Sequence, residues 1–200
     1  DADDVPAFSA DAVVVATGSL PDGTGFQRQL PQQAVLPGVD KPNVWSVEDV
    51  MGKRAQPGKR VLLIDDTGDW RGGGTAWHLA ERGHVVTIVS GWPLVGYWIQ
   101  RTAGDGQLRA RLSRLGARWF TESVVTQWHG DGAGVRSLLD GQERRIDADA
   151  LVLATTNVAQ AELAHALRAT VGELHLIGDA SAARLAVHAI YEARALARRL

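Results

Sequence analysis

The chain has 200 residues, a formal net charge of −2 and no cysteine. Without cysteine it holds no disulfide and no thiolate-ligated metal or iron–sulfur site, and without a basic patch it is not expected to bind nucleic acid. No apolar run is long enough to span a bilayer and no signal peptide opens the chain, so we expect no membrane partner and a cytoplasmic location.

The opening part of the chain predicts one buried strand followed by an irregular segment. The β-branched run over 12–16 is typical of a strand in a parallel sheet, and Thr17-Gly18-Ser19 ends it. Residues 20–58 hold most of the prolines and show little periodicity. We therefore predict an irregular connection there, with a short helix near 46–51.

A regular α/β unit comes next. Its signals predict a strand over 60–64, a glycine-rich loop over 65–74, a helix over 75–82 ended by Gly83, and a second strand over 85–89. This strand–helix–strand order implies two parallel strands joined by a right-handed crossover.

The rest of the chain alternates strands and helices around an antiparallel meander. A loop over 91–106 carries Trp92, Tyr97 and Trp98, and we expect most of the tryptophans to pack in cores and interfaces. The other predicted elements are a helix over 107–115, strands over 117–121, 124–128, 134–139, 143–146 and 150–154, a helix over 162–169, a strand over 174–177 and a helix over 181–200.

Three landmarks, in this order, carry a family resemblance. They are Asp11-Ala12-Val13-Val14-Val15-Ala16-Thr17-Gly18, the unit over 61–90, and Leu176-Ile177-Gly178-Asp179-Ala180 before a helix. Together they resemble flavoproteins of the glutathione reductase type, in which a second dinucleotide fold is inserted into an FAD-binding domain. The stretches 86–91 and 175–191 narrow the resemblance to trimethylamine dehydrogenase and its relatives, which include dimethylamine and histamine dehydrogenases, N-methylproline demethylases and dienoyl-CoA reductase.

The resemblance implies an α/β fold class, with a Rossmann-like dinucleotide-binding fold inserted into a second, incomplete FAD/ADP-binding domain. Residues 1–58 and 157–200 are expected to form the partial FAD/ADP-binding domain, and 59–156 the inserted NAD(P)-binding-like domain. Family members carry an N-terminal TIM barrel with FMN and a four-iron–four-sulfur cluster. The chain is therefore expected to be a fragment, with that barrel of the same parent chain and an electron-transfer flavoprotein as its partners.

Two strand ends supply the residues expected to contact FAD or ADP. They are Ala16, Thr17 and Gly18 at the first strand, and Gly178, Asp179 and Ala180 at the last. A carboxylate at a strand end can accept a hydrogen bond from a ribose or ribityl hydroxyl, and the N–H groups of a following helix can face a pyrophosphate. Plainer roles fit as well, with Asp179 as a helix cap and Gly18 as a strand-to-loop glycine.

The loop over 65–74 lies where an NAD(P) fingerprint belongs, but its glycines are displaced. G-x-G-x-x-G would need glycine at Asp65, Thr67 and Trp70. The acids of the loop would repel a pyrophosphate, and Ser90 stands where a ribose-binding acid is expected. We interpret the segment as a degenerate dinucleotide loop without intact NAD(P) binding, and its glycines are Gly68, Gly72, Gly73 and Gly74. Arg71 and the three consecutive glycines could still form an anion site.

The chain lacks histidine–acid pairs at metal-ligand spacing and has no nucleophile elbow, so neither a metal site nor a catalytic residue is predicted. The leading hypothesis is the dinucleotide-binding portion of an FMN and iron–sulfur flavoprotein oxidoreductase, a small-amine dehydrogenase or N-demethylase, holding ADP or FAD and supporting electron transfer. One alternative is an NAD(P)H-dependent enoate or dienoyl reductase module. Another is a non-catalytic nucleotide-binding or interaction module with the Trp-rich loop 92–98 as its partner surface. The isolated chain is expected to be inactive.

Overall fold

A computed structural model describes residues 2–200. They form two compact units: the terminal unit holds the chain up to Pro21 together with Asn157–Leu200, and the middle unit is Asp22–Thr156. The two units divide at 21/22 and 156/157, whereas the sequence predicts boundaries at 58/59 and 156/157. The first boundary falls earlier because strand β3 (Val44–Ser46) pairs in parallel with β10 (Ala150–Ala154) and so belongs to the sheet of the middle unit.

The middle unit is built on a five-stranded parallel sheet in the order β3-β10-β4-β5-β6, a Rossmann-like arrangement. Its strands are almost uniformly apolar because both faces are covered. Leu63 faces a core shared with the helices, whereas Leu62 faces a core shared with an antiparallel meander. The sheet strands are β3 (Val44–Ser46), β4 (Arg60–Asp65), β5 (Val85–Val89), β6 (Arg118–Phe120) and β10 (Ala150–Ala154).

Three helices and the meander complete the middle unit. They are α1 (Val47–Met51), α2 (Trp70–Glu81), α3 (Asp105–Arg114), β7 (Ser123–Trp128), β8 (Gly132–Ser137) and β9 (Glu143–Asp147). The predicted start of α2 at residue 75 is wrong. The Asp69 carboxylate accepts a hydrogen bond from the Arg71 N–H and caps the helix, so α2 begins at Trp70. Gly72, Gly73 and Gly74 therefore lie inside α2 and not in a loop.

The terminal unit contains two small sheets and two helices. Strands β1 (Val13–Val15) and β12 (Leu174–Leu176) pair in parallel, and β2 (Ser19–Pro21) and β11 (Asn157–Ala159) pair antiparallel. The helices are α4 (Glu162–Leu167) and α5 (Ala186–Leu196). The predicted final helix is too long at both ends. It begins five residues late because Ser181 and Ala182 donate backbone hydrogen bonds to the Gly178 carbonyl, which holds the chain in a 3-10 turn.

Helix α5 is apolar on two faces. Leu196 is buried within the terminal unit, whereas Val187, Ile190 and Tyr191 are 61%, 69% and 73% exposed. Such a continuous apolar surface is a feature of interaction sites.

No helix within residues 2–200 has both the length and the apolar character needed to cross a bilayer.

Candidate functional site: two strand edges

The predicted FAD/ADP contacts lie together at one edge of the terminal unit. Val15 is level with Leu176 in the parallel pair β1–β12, so the carboxyl ends of both strands meet there. The Ser19 hydroxyl donates a 3.1 Å hydrogen bond to Asp179 Oδ2, which joins the two strand ends. The structure thus brings Thr17-Gly18 and Gly178-Asp179 to the same edge, the position where open α/β sheets bind ligands.

Both glycines of this edge adopt left-handed backbone conformations. Gly18 has φ +81° with open space around its α-carbon, and Gly178 has φ +63° with a Cβ position only 3.2 Å from Ala189 Cβ. Glycine is favoured at each, for the turn at Gly18 and also for the close approach of α5 at Gly178. The N–H groups of Thr17 and Gly18 donate no hydrogen bond to any group within residues 2–200, so they are available to an anion.

Asp179 is not the cap of the final helix. Helix α5 starts after Leu185, whose side chain makes no capping hydrogen bond. Instead, Asp179 Oδ1 accepts a 3.1 Å hydrogen bond from the Arg184 N–H, and this closes the turn that precedes the helix. The helix-cap alternative for Asp179 is therefore wrong, and α5 does not offer its N-terminus directly after the Gly-Asp pair.

Glu192 and Arg184 support the turn, and sequence reasoning missed both. Glu192 Oε2 accepts a 2.7 Å hydrogen bond from the Gly178 N–H, and the Arg184 guanidinium pairs with Glu192 Oε1. The Gly178 N–H, followed by Arg184, lowers the pKa of Glu192. No local pattern signals the contact, because it forms only when α5 folds back over residue 178.

In the middle unit, Asp65 fills the place of the missing fingerprint glycine. Its side chain is fully buried; Oδ1 accepts a 2.9 Å hydrogen bond from the Gly68 N–H, and Oδ2 has no partner within the described chain. Burial, reinforced by Asp69 and Asp66 and opposed by the Gly68 N–H, raises the pKa of Asp65 to about 7. The carboxyl group lies between the end of β4 and the first turn of α2, where a dinucleotide fold receives pyrophosphate.

The remaining charged groups of this loop already have partners. Asp66 pairs with Arg28 at 2.9 Å. The Arg71 guanidinium pairs with Glu48 at 2.7 Å and also donates to the Thr155 carbonyl. Arg71 therefore already has an anionic partner, and the three consecutive glycines of the suggested anion site lie in the first turns of α2.

An aromatic cluster covers what is left of the loop. The Trp92 ring lies against Gly68, where a Cβ would come within 2.9 Å of it, and its Nε1 donates a 2.8 Å hydrogen bond to the Asp66 carbonyl. Tyr97 stacks on Trp92 with ring centroids 4.9 Å apart, and the Trp98 N–H donates to the Gly68 carbonyl at 2.9 Å. The chain's own residues thus occupy the surface of the degenerate loop.

Ser90 completes this closure. Its hydroxyl donates a 2.8 Å hydrogen bond to the Asp65 carbonyl, so it ties β5 to β4 at the strand ends.

Across residues 2–200, no group of three or more His, Asp or Glu side chains is placed to hold a metal ion.

Comparison with known proteins supplies the evolutionary context. No protein-family model matches the chain. Cinnamate reductase of Clostridium sporogenes is 27% identical over 208 residues, which cover 99% of this chain and 28% of that protein. Dimethylamine dehydrogenase of Hyphomicrobium sp. is 25% identical over 228 residues, which cover all of this chain and 30% of that protein.

The fold is shared with a solved amine dehydrogenase. Histamine dehydrogenase from Rhizobium sp. 4-9 superposes with a TM-score of 0.90 at 28% identity, covering 100% of this chain and 32% of that one. The chain spans less than a third of each of these proteins. The likeness extends along the whole length of the chain, which is similar to one region of each of these oxidoreductases and is consistent with the C-terminal, dinucleotide-fold region of the trimethylamine dehydrogenase and histamine dehydrogenase family.

Proposed function

We propose that this chain holds an ADP or FAD moiety in its terminal unit, as one part of a larger FMN and iron–sulfur oxidoreductase. The observation that carries the proposal is the juxtaposition of Gly18 with Gly178-Asp179 at the carboxyl ends of β1 and β12. The corresponding edge of the middle unit is filled by Asp65 and Trp92. One edge therefore suits a nucleotide and the other does not.

The groups at the open edge match the chemistry of a nucleotide. The N–H groups of Thr17 and Gly18 have no hydrogen-bond partner within residues 2–200 and can donate to a pyrophosphate. Asp179 is half-buried and can accept a hydrogen bond from a sugar hydroxyl beside the bond it receives from Ser19. Arg184 and the Gly178 N–H offset the charge of Glu192, which reduces the repulsion between this carboxylate and an anionic ligand.

For the parent protein we propose oxidation of a small amine at an N-terminal barrel, with this chain supporting electron transfer to a separate acceptor. Bound flavin and iron–sulfur groups would supply the redox chemistry. Two of the three proteins compared above are amine dehydrogenases, which supports this substrate class. The closed loop of the middle unit supports an acceptor other than NAD(P).

Two experiments test the proposal. The coding sequence upstream should encode a barrel with clustered cysteines; its absence would remove the proposed parent. The complete protein, purified and then denatured with acid, should release ADP or FAD in addition to FMN, and chromatography identifies which. A preparation that releases FMN alone would contradict the role of the terminal unit.

An enoate reductase parent is the second candidate, and the similarity to cinnamate reductase favours it. It would need an electron donor, and Asp65 and Trp92 argue against NADPH binding at the middle unit. Anaerobic titration of the complete protein with NADPH distinguishes the two. Rapid bleaching of the flavin at micromolar NADPH would favour the reductase.

A further inference from the structure

A small basic pocket lies on the middle unit, away from the degenerate loop. Pro57 and His84 precede the amino ends of β4 and β5, and the pocket continues to the C-terminal ends of α1 and α2. Its volume is about 190 Å³. The buried side chains of Val50 and Leu79 provide an apolar floor.

The rim of this pocket is cationic and contains no acid. Lys53, Arg82, His78 and His84 line it. Within the described chain neither Lys53 nor Arg82 forms an ion pair. The pocket therefore presents two cations without a direct ion-pair partner above an apolar floor, and Glu81, which pairs with Arg111, is the nearby acid that acts on Arg82.

Hydrogen bonds fix the tautomers of both histidines. His84 Nδ1 lies 2.6 Å from the Gly58 carbonyl, which can only accept, so Nδ1 carries the proton. Arg82 Nη1 lies 2.9 Å from His78 Nδ1, and a guanidinium can only donate, so the proton of His78 is on Nε2. His78 thus has an Nε2–H that is not committed to Arg82.

The charges around His78 make the pocket positive. Burial, and then Arg82, lower the pKa of His78; Lys53 and His84 act in the same direction, and Glu81 opposes them. Lys53 also adopts a left-handed conformation with φ +59°, directly after Gly52 ends α1. Glycine is favoured at that position of a helix terminus. Lysine adopts this backbone conformation less readily, and here it places an ammonium group at the rim.

We propose that this pocket binds a small carboxylate with an apolar body. The apolar body lies on Val50 and Leu79, and the carboxylate is held by Lys53, Arg82 and the Nε2–H of His78. This site shares no residue with the nucleotide edge, because its residues belong to the middle unit alone.

The experiment titrates the complete protein with 4-bromobenzoate. The neutral analogue 4-bromobenzamide is the control ligand. Isothermal titration should show saturable binding of the acid and at least about tenfold weaker binding of the amide, since the charge-assisted hydrogen bonds are lost. Crystals soaked in the acid should show the anomalous signal of bromine in the pocket.

Three variants make the assignment specific. Lys53→Gly and Arg82→Gln should each weaken binding of the acid about tenfold. Arg114→Gln, which removes an exposed arginine at the end of α3, should leave it unchanged. Lys53→Gly should melt at the same temperature as the parent or higher, because glycine relieves the left-handed conformation, so its weaker binding cannot reflect unfolding.

Several results would overturn the proposal. Equal affinity in the parent and Lys53→Gly would show that the rim does not hold the carboxylate. Bromine bound only outside the pocket would refute the site. Equal affinity for the acid and the amide would refute the ligand class. Inorganic phosphate that displaces the acid at equal or lower concentration would show that the apolar floor plays no part.

Discussion

The carboxyl group of Asp65 lies so close to the α-carbon of Gly72 that a Cβ at residue 72 would collide with it. The acid at the end of β4 and the glycine in the first turn of α2 are therefore mutually dependent. A fingerprint glycine at 65 would leave this space to a ligand, whereas here a side chain fills it. The relationship explains why residue 72 is glycine although the loop has no open phosphate site.

Replacement of Gly72 tests this dependence. Gly72→Ala should lower the free energy of unfolding by about 1–3 kcal/mol, because the methyl group overpacks against Asp65. In an Asp65→Gly background the same change should stabilise by about 0.5–1 kcal/mol through helix propensity. Gly74→Ala, which meets only Trp70 at 4.0 Å, is the matched control and should stabilise in both backgrounds. Urea titration measures all four, and destabilisation by Gly72→Ala in both backgrounds would contradict the coupling.

The pH dependence of stability should report the buried acid. The pKa of Asp65 is about 7 in the folded protein and 3.8 in the reference state. Between those values the unfolded chain releases a proton that the folded chain retains, so the folded state loses stability as pH rises, by at most about 1.4 kcal/mol per unit. Asp65→Asn removes this loss. Its stability relative to the parent should rise from pH 4 towards pH 7 and then level off, which urea titration at a series of pH values measures, and a difference that does not change with pH would contradict the raised pKa.

Asp179 should matter for nucleotide retention more than its structural neighbour Ser19. Asp179→Ala in the complete protein should weaken retention of ADP or FAD by about 1–3 kcal/mol, because a charged hydrogen-bond acceptor is lost. Ser19→Ala removes the 3.1 Å bond to Asp179 but leaves the carboxylate in place, so nucleotide content should remain near that of the parent. Nucleotide content after gel filtration, read beside a thermal melt, separates the effects. If Asp179→Ala keeps its full nucleotide content while its melting temperature falls, Asp179 has a structural role only.

Opening the middle unit to NADPH should require removal of its aromatic cover. Asp65→Gly with Thr67→Gly restores two fingerprint glycines, but Trp92 still covers Gly68. We expect the double variant to change the free energy of NADPH binding by less than about 0.6 kcal/mol, which corresponds to roughly threefold in the dissociation constant. Its ADP or FAD content should not change. Addition of Trp92→Ala should produce measurable binding, and tight binding by the double variant alone would show that Trp92 is no barrier.

The middle unit was largely predictable from the sequence because its strands have strong local signals. The apolar run over 150–154 matches β10, and 60–64 and 85–89 match β4 and β5 to within a residue. Strands β2, β3 and β11 were missed, since strands of three residues show no periodicity. The early start of α2 was missed because three glycines suggested a loop, although Asp69 was a sound cap signal.

The candidate site was predictable in its positions but not in its contacts. The displaced fingerprint indicated that the loop would not accept NAD(P), but not that Asp65 would turn inward against Gly72. The support of Gly178 by Glu192 was equally hidden, because it joins residues fourteen positions apart across a turn. Such contacts depend on how helices cross strand ends, and no residue pattern encodes that directly.

The position of β10 bears on how the protein is made. This strand lies between β3 and β4, yet it leaves the ribosome after every other strand of the sheet. Until residues 150–154 emerge, β3 has no partner and β4 has one unpaired edge, and exposed edges of apolar strands are prone to aggregate. We expect nascent chains arrested before residue 150 to need a chaperone and chains arrested well beyond 160 to be released from it, which ribosome pull-down can follow. The middle of the sheet is closed by its last strand, so we expect the complete sheet to form only after residues 150–154 have been translated.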